Sequence, residues 1–287
     1  MLLIIGISGN TAQHVVQRLR QQQPELTIVG TTRRRITIAE VNHIEQVSDY
    51  SEETLMALFA KYPIQTVVQV AHTTLSPAVM KVADLFSVKH VVLVHTSGIF
   101  SKIRSCREQY EQIENQIITS GHKTPFTILR PTLIYGTPED RNMARLIQFV
   151  RKQRFIPTIG RGHNLFQPVH VDDLAAAIVA AHGQEIAYGK AYTISGGTVL
   201  TYREIVMTIA RELRKRIVLV PIPYILALSA VWLLNHLLRR HDLTVEQVQR
   251  MREDKNYSYA EAANDLGYDP RNFADGIASE IRLILAR

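Results

Sequence analysis

The residues from Gly6 to Ala12 form a pattern that could bind a phosphate-bearing ligand. The short apolar run Leu2–Ile5 leads into Gly6-Ile-Ser-Gly9-Asn-Thr-Ala12, where a helical pattern begins. Gly6 allows a sharp turn, Gly9 lets the backbone approach a pyrophosphate, and Ala12 lets the helix pack closely on the strand. The free N–H groups of the first helical turn also attract phosphate. The spacing therefore predicts a dinucleotide site, with contacts from Gly6, Ser8, Gly9, Asn10, Thr11 and Ala12.

Three arginines follow the second predicted strand, where a site for NAD usually has an acidic residue that binds the ribose. The chain has Arg33-Arg34-Arg35 at this point, and no carboxylate follows before Glu40. Guanidinium groups form charge-assisted hydrogen bonds with phosphate oxygens, so they suit the 2′-phosphate of NADP. We therefore expect Arg33 and Arg34 to favour NADP(H) over NAD(H); the alternative is a solvated basic loop.

Short apolar runs alternate with amphipathic stretches through residue 131. A parallel strand must return over its sheet through a crossover, so this alternation predicts a parallel sheet covered on both faces. The predicted fold is α/β, a doubly wound parallel Rossmann sheet with a smaller, mostly helical C-terminal substrate lobe. The predicted strands are Leu2–Ile5, Thr27–Thr31, Ile44–Val47, Thr66–Val70, Val91–His95 and Thr127–Leu129, and the predicted helices are Thr11–Gln22, Glu52–Lys61, Ala78–Phe86 and Glu108–Ser120.

After Pro131 apolar runs and amphipathic stretches alternate less regularly, although no low-complexity linker interrupts the chain. Helices are predicted near 142–152, 172–182 and 202–214, with a strand at 192–194. We expect a dinucleotide-binding domain at 1–155, completed by a strand and helix that return from about 165 to 200. A smaller helical substrate or lid lobe is expected at 200–287.

Composition limits the classes of partner and site. The net charge is +7 over 287 residues, but the basic residues are scattered and no nucleic-acid-binding motif is present, so we expect no nucleic-acid partner. The single cysteine, Cys106, excludes an internal disulfide. The histidines do not show two metal-binding spacings that together could complete a metal site, so no metal is expected. The first residues lack a basic leader pattern, so a cytoplasmic location is expected.

Several later motifs occur in the order of a known family. The chain resembles the extended short-chain dehydrogenase/reductase family, the NAD-dependent epimerase/dehydratase group, and its glycine turn resembles the NmrA-like branch. The motifs are Asp49, Ala71-His72, Val94-His-Thr96-Ser97, Ile128-Leu-Arg-Pro131-Thr-Leu-Ile-Tyr135-Gly136, Gln167-Pro-Val-His170-Val-Asp172-Asp173, and Tyr259-Ala-Glu-Ala-Ala-Asn-Asp-Leu-Gly267-Tyr-Asp-Pro270.

The resemblance implies positions for these residues around a nicotinamide dinucleotide. Asp49 would lie near the adenine, and Ala71 with His72 would lie beside the pyrophosphate. Thr96 and Pro131 would line the path of the nicotinamide, and Ser97 or Thr96 would take part in catalysis. The implied activity is that of an NAD(P)-dependent oxidoreductase or a nucleoside-diphosphate-sugar epimerase.

The family's proton-transfer pair is missing. The reaction needs a tyrosine and a lysine four residues apart, because the ammonium lowers the phenol pKa. No tyrosine here has a lysine at that spacing; Cys106 stands in the tyrosine position and Tyr110 in the lysine position. Three hypotheses follow: Tyr110 acts with Lys102 or the Thr96-Ser97 pair; the acceptor is activated and needs little acid catalysis; or the cofactor is bound without turnover, as in a sensor or assembly protein.

The substrate lobe leaves the partner open. The family's substrate-binding arginine is replaced by Phe166, with Arg161 nearby, so a sugar nucleotide is only one candidate among small molecules. The stretch 222–238 is apolar, but it is short for a membrane span and is interrupted by proline and polar residues. We expect it to form a lid, with Tyr224 and Trp232 lining an apolar pocket, or to contact a second copy in a homodimer, another protein or a bilayer surface.

Overall fold

A seven-stranded parallel sheet forms the centre of the molecule. The structure is a computed structural model, and it describes residues 1–140, 142–226, 228–229, 249–250 and 252–287, apart from the side chain of Cys106. The strands are β1 (Leu2–Ile5), β2 (Ile28–Thr32), β3 (His43–Gln46), β4 (Thr66–Gln69), β5 (His90–Val94), β6 (Phe126–Pro131), β7 (Ile134–Tyr135), β8 (Phe155–Ile159), β9 (Leu165–Phe166), β10 (Val169–His170), β11 (Ala191–Ile194), β12 (Leu200–Thr201) and β13 (Val218–Ile222). The central sheet has the order β3-β2-β1-β4-β5-β6-β11.

Helices cover both faces of this sheet. The main helices are α1 (Asn10–Gln22), α2 (Glu52–Lys61), α3 (Ser76–Leu85), α4 (Arg104–Thr119), α5 (Met143–Lys152), α6 (Val171–Ala181), α7 (Tyr202–Glu212), α8 (Ala260–Leu266) and α9 (Phe273–Leu285). The apolar sides of α1 and α6 pack on one face of the sheet, and those of α2, α3 and α4 pack on the other. The predicted doubly wound α/β sheet is thereby confirmed.

The strands are apolar because both of their faces are covered. All four residues of β1 and all five of β5 are buried, as expected for interior strands of a parallel sheet. The strand order places β4 beside β1, on the side opposite to β2. The connection from β3 to β4 therefore crosses from one half of the sheet to the other, and the strand order reverses between β1 and β4. In open parallel sheets, ligands bind at the carboxyl ends of the strands beside such a reversal.

A third core joins α5, α7 and α9 outside the central sheet. It includes the parallel pair β8 and β13, which the sequence patterns do not predict. Pro157 and Pro221 have no N–H group to donate to a neighbouring strand. Each strand of this two-stranded sheet has a free edge, and an edge strand tolerates proline. Although α5 lies before residue 155, it packs with α7 and α9 and not on the central sheet.

Candidate functional site

The glycine turn has the backbone geometry that its sequence predicts. Gly6 has a φ of +91°, in the region that favours glycine, and a Cβ there would lie 3.1 Å from the Cβ of Ala71. The Gly9 N–H donates to the Gly6 carbonyl at 3.1 Å, and Gly9 is the N-cap of α1. A Cβ at Gly9 would have only the Gly6 carbonyl within 3.5 Å, so the space in front of the turn is open. The turn thus leaves room for a phosphate group.

A cavity of about 170 Å³ lies directly in front of α1. Gly9, Asn10, Thr11 and Ala12 line it together with Thr137 and Asp140. The side-chain amide of Asn10 donates to Thr137 Oγ1 at 2.6 Å, which ties the start of α1 to the loop after β7. Ser8 lies at the same turn, where its carbonyl accepts from the Gln13 side chain. Gly9, Asn10, Thr11 and Ala12 therefore line one open space, and Gly6 and Ser8 belong to the turn that precedes it.

Arg33, Arg34 and Arg35 are exposed at the end of β2. The Arg34 N–H donates to Thr32 Oγ1 at 3.0 Å, which fixes the turn that presents them. Within the described part of the chain, no carboxylate lies within ion-pair distance of these guanidinium groups. The next acidic residue, Glu40, is exposed and offers its carbonyl to Arg20. The end of β2 therefore presents positive charge that is available to an anionic ligand.

Asp49 and His72 make local contacts at the ends of β3 and β4. The Asp49 carboxylate accepts from the Ser51 N–H at 2.9 Å and from Thr54 Oγ1 at 3.0 Å, and these bonds lower its pKa. His72 Nδ1 accepts from the Thr74 N–H, and Ala71 lies against Gly6. Both polar side chains stabilise starts of helices, and that structural role is compatible with the ligand role the family resemblance implies.

A polar cleft of about 340 Å³ opens at the carboxyl ends of β5 and β6. Thr96 and Ser97 line one side, and Thr132, the residue after Pro131, lines another. Ile134 lines both this cleft and the cavity in front of α1, so the two spaces are neighbours. The cavity at the glycine turn and the cleft therefore adjoin each other at Ile134.

Tyr110 lies beside this cleft but is not one of its lining residues. A Cβ on Gly98 would lie 2.8 Å from Tyr110 Cε2, so the tyrosine ring is packed against the backbone of the 97–100 turn. Lys102 is exposed, and its N–H donates to Glu253 at 2.6 Å. The geometry brings Thr96 and Ser97 together at the cleft and places Tyr110 behind them.

A segment near the C-terminus closes the far side of the cleft. Arg250, Glu253, Lys255 and Tyr257 all line it. The ring of Tyr257 lies 4.9 Å from that of Phe100, and burial, followed by the charge of Glu253, raises the Tyr257 pKa. Its hydroxyl therefore remains protonated at neutral pH and can donate a hydrogen bond into the cleft. Sequence reasoning missed these residues because a contact between distant segments leaves no local pattern.

The carboxylate of Glu253 anchors this segment to the start of α4. It accepts from Ser101 Oγ at 2.9 Å and from the N–H groups of Lys102 and Ile103 at 2.6 and 3.2 Å. Glu253 and Ser101 are both buried. Helix N-termini leave N–H groups without intrahelical partners, so a carboxylate brought from a remote segment is a strong acceptor there.

A buried charged cluster holds the end of β5 beneath the cleft. His95 Nδ1 lies 3.1 Å from Glu114 Oε1, and Arg130 also bonds to Glu114 through two of its nitrogens. Ser76 Oγ lies 2.9 Å from His95 Nε2. Burial opposes ionisation of Glu114, but the bonds from His95 and Arg130 outweigh it and lower the pKa of Glu114. The cluster fixes α4, β5 and β6 relative to one another and so positions Thr96.

The start of α6 carries a second charged cluster. Arg18 binds both oxygens of Asp172 at 2.9 Å, and Arg271 binds Asp172 and Asp173. Burial opposes ionisation of Asp172, but the two guanidinium groups lower its pKa to about 2. His170 brings a third ligand-type atom within 4.8 Å of the carboxylates. Because arginines already hold both carboxylates, the cluster is suited to joining α1, α6 and the C-terminal region rather than to binding a cation.

The apolar stretch 222–238 falls largely outside the described residues, which leave out 227 and 230–248 and therefore Trp232. Tyr224 is described: the Arg252 guanidinium lies 4.4 Å from its ring centroid, and Tyr224 borders a cavity formed with residues 159–164, not the 340 Å³ cleft. Among the described residues, no helix is long and apolar enough to cross a membrane.

Comparisons with known proteins agree with this architecture. A model of the 3-beta hydroxysteroid dehydrogenase/isomerase family matches residues 89–218. This match, together with the short-chain dehydrogenase/reductase relative described below, supports the predicted resemblance to the extended short-chain dehydrogenase/reductase family. The fold is similar to that of the epimerases in this group.

Two curated relatives match parts of this chain. The mitochondrial NADH dehydrogenase [ubiquinone] 1 alpha subcomplex subunit 9 of Arabidopsis thaliana is 41% identical over 107 residues, which are 36% of this chain and 26% of that protein. Short-chain dehydrogenase/reductase family 42E member 1 of Mus musculus is 26% identical over 159 residues, which are 50% of this chain and 40% of that protein. The chain thus spans less than half of the length of either relative.

A solved structure covers the family fold more completely. The UDP-glucuronic acid 4-epimerase of Bacillus cereus, in complex with UDP-glucuronic acid and NAD, superposes with a TM-score of 0.76 at 15% identity. The match covers 99% of each chain.

Proposed function

We propose that this chain is an NADP(H)-dependent oxidoreductase that acts on a small molecule held in the Thr96–Ser97 cleft. The observation that carries the proposal is that the cavity at the glycine turn and the cleft are neighbours, because Ile134 lines both. A dinucleotide bound at the turn would extend its nicotinamide into the cleft. When bound, nicotinamide donates or accepts hydride, and the protein supplies orientation and electrostatics.

The preference for NADP(H) rests on the end of β2. Arg33 and Arg34 are exposed and have no described acidic partner, and the Thr32 hydroxyl accepts a hydrogen bond from the Arg34 N–H. A 2′-phosphate placed there would receive charge-assisted hydrogen bonds, whereas a free ribose would meet no carboxylate. NAD(H) is therefore expected to bind more weakly.

The cleft favours a polar substrate, for which a sugar nucleotide is one class. Thr96, Ser97 and Tyr257 offer hydroxyl groups, and Lys255 adds a cation. The structurally similar Bacillus cereus epimerase is described in complex with a UDP-sugar. Phe166 replaces the family's substrate-binding arginine, but the Lys255 ammonium lies 5.4 Å from its ring centroid, so positive charge is still present nearby.

A second function, NADP(H) binding without turnover, is favoured by the missing tyrosine-lysine pair and by the packing of Tyr110 against Gly98. One relative, the Arabidopsis protein, is named as a subunit of a larger NADH dehydrogenase. In this alternative, the bound nucleotide would stabilise a sensor or an assembly partner, and the cleft residues would not take part in chemistry.

Cofactor binding is tested first by titrating the protein with NADPH and with NADH. Gly9→Val should fold, because Gly9 has an extended backbone conformation and open space at its Cβ. The branched side chain should block the phosphate position and weaken NADPH binding roughly tenfold or more. Ala60→Val, which adds the same kind of side chain at an exposed position of α2, is the control and should leave the affinity unchanged. Absence of NADPH binding by the unaltered protein would refute both functions.

Turnover is tested next by following NADPH consumption with a panel of sugar nucleotides, quinones and aldehydes. The oxidoreductase function predicts consumption that Ser97→Ala reduces at least tenfold while NADPH affinity is kept. Tyr110→Phe tests the tyrosine hypothesis separately: unchanged activity would exclude a catalytic role for that hydroxyl. Tight NADPH binding with no consumption across the panel would favour the second function.

A further inference from the structure

The two-stranded sheet of β8 and β13 presents an apolar face to solvent. In this parallel pair Phe155 lies opposite Val218 and Pro157 opposite Val220, so the four side chains share a face. Phe155 is 62% exposed, and Val218 and Val220 are also exposed, while Ile156 on the other face is fully buried. The sheet therefore packs with one side and leaves the other uncovered in the described part of the chain.

Two further apolar residues that follow β13 are exposed. Ile225 and Leu226 are 75% and 59% exposed. We define the β8–β13 face as Phe155, Pro157, Val218 and Val220 on the strands, together with Ile225 and Leu226 after β13. Several exposed apolar residues on neighbouring segments are typical of surfaces that bind another apolar phase or partner.

The segments that carry the β8–β13 face are basic and contain no acidic residue of their own, although Asp254 from a later segment lines the cavity beside Arg161 and Tyr224. The stretches 141–171 and 213–226 carry nine Lys and Arg residues and no Asp or Glu, whereas the remaining 242 residues carry 24 Lys and Arg against 26 Asp and Glu. The chain's excess of positive charge therefore lies entirely within these 45 residues. This concentration is far from what a uniformly basic chain would show.

The positive charges are placed at the ends of the two strands. Arg154 immediately precedes β8, Arg216 lies two residues before β13, and Arg161 follows β8. Lys215 Nζ binds the carbonyls of Val150 and Arg151, which holds the end of α5 beside them. No described carboxylate forms an ion pair with Arg151, Arg154 or Arg216. The cations are exposed and remain available at the border of the apolar face.

We infer that the β8–β13 face docks on the surface of a bilayer that contains anionic lipids. The apolar side chains would enter the interface, and the bordering cations would meet lipid phosphates, which provide dense negative charge without a specific partner. An acidic protein or a second copy of the chain is the alternative occupant. The face shares no residue with the cleft or the glycine turn, so docking does not depend on the proposed reaction.

The inference is tested by vesicle flotation of the full chain. Vesicles of phosphatidylcholine alone are compared with vesicles that also contain phosphatidylglycerol, at low and high salt. We expect binding to the anionic vesicles, a clear loss of that binding at high salt, and little binding to the neutral ones. Equal binding to both, or none to either, would overturn the inference.

Matched variants separate the two contributions. Phe155→Ser and Ile225→Ser should each lower binding severalfold, and Leu85→Ser, 65% exposed on α3, should not.

The pair Arg151→Gln and Arg154→Gln should lower binding roughly tenfold, since each cation near the surface contributes independently. The exposed pair Lys89→Gln and Lys123→Gln should have little effect. Unchanged circular dichroism spectra and urea denaturation curves verify folding of each variant, whether or not the chain binds NADPH. If Phe155→Ser instead abolishes a concentration-dependent dimer and leaves flotation unchanged, the face is a protein interface and the lipid inference is wrong.

Discussion

At the scale of single residues, the end of β2 decides which dinucleotide the chain prefers. Arg33→Ser with Arg34→Ser should weaken NADPH binding tenfold or more and leave NADH binding nearly unchanged. A hydrogen bond to a charged group contributes about 1.5–3 kcal/mol, and only NADPH carries the 2′-phosphate. The two dissociation constants are measured by fluorescence titration.

The control for this change removes a charge far from the turn. Lys89 is exposed just before β5, at the amino ends of the parallel strands, so Lys89→Ser lowers the net charge without touching the carboxyl end of β2. It should leave both affinities nearly unchanged. An equal loss of NADPH and NADH binding in the double arginine variant would mean that these guanidinium groups attract any dinucleotide and do not read the 2′-phosphate.

The glycine turn was predictable because its constraints are local. A positive φ at Gly6 and the close approach of Ala71 require glycine, and both follow from a strand that turns directly into a helix. The role of Tyr110 was less predictable, since its ring position depends on Gly98 in the preceding turn. Sequence spacing placed it on the correct helix but did not show that its ring packs behind the cleft-lining residues.

At the scale of elements, Glu253 joins the C-terminal segment to α4. Glu253→Gln should lower the free energy of unfolding by about 1–3 kcal/mol, because a neutral amide is a weaker acceptor for the Ser101 hydroxyl and two backbone N–H groups. Urea denaturation measures the loss. Hydrogen exchange at Lys102 and Ile103 should become faster in the same variant, since their N–H groups lose a charged partner.

A neighbouring carboxylate provides the comparison. Asp254 is exposed and accepts one backbone bond, from the Leu165 N–H at 2.8 Å, so Asp254→Asn should have a smaller effect. If Glu253→Gln is no less stable than Asp254→Asn, and exchange at Lys102 is unchanged, the segment is held by its other contacts and Glu253 is not the anchor.

The elements near the strand ends were partly predictable. Alternating apolar runs located the central strands to within two residues, because burial on both faces imposes a clear pattern. The bonds from Glu253 to Ser101 and from Arg130 to Glu114 join segments that are far apart in sequence or on different elements, and nothing local marks them. The pair β8 and β13 could not be predicted from the sequence, because each strand contains a proline and only an edge strand tolerates proline.

At the scale of the whole molecule, the buried carboxyl of Glu280 joins α9 to the loop after β7. Glu280 is fully buried on α9 and accepts from the Gly136 N–H at 2.9 Å, beside the loop that borders the cavity at the glycine turn. Burial, followed by the neighbouring Asp140 carboxyl, raises the pKa of Glu280 to about 9 from 4.5. The folded protein therefore holds this carboxyl in its neutral form at physiological pH.

This raised pKa makes the contribution of Glu280 to stability depend on pH. Below pH 4.5 the carboxyl is neutral in both the folded and unfolded states and costs nothing. Between pH 4.5 and about 9 only the unfolded state releases the proton, so stability falls as the pH rises. Glu280→Gln stays neutral and can still accept from Gly136, so its stability relative to the original protein should increase by about 1–3 kcal/mol from pH 5 to pH 8.

Chemical denaturation at several pH values measures this difference, and comparison with a variant cancels the other titrating groups. Glu261 is exposed on α8, and Glu261→Gln should follow the original protein at every pH. Parallel stability curves for Glu280→Gln and the original protein would show that Glu280 ionises equally in the folded and unfolded states. A gap that widens as the pH rises would show that the folded protein keeps the proton on Glu280 when the unfolded chain has released it.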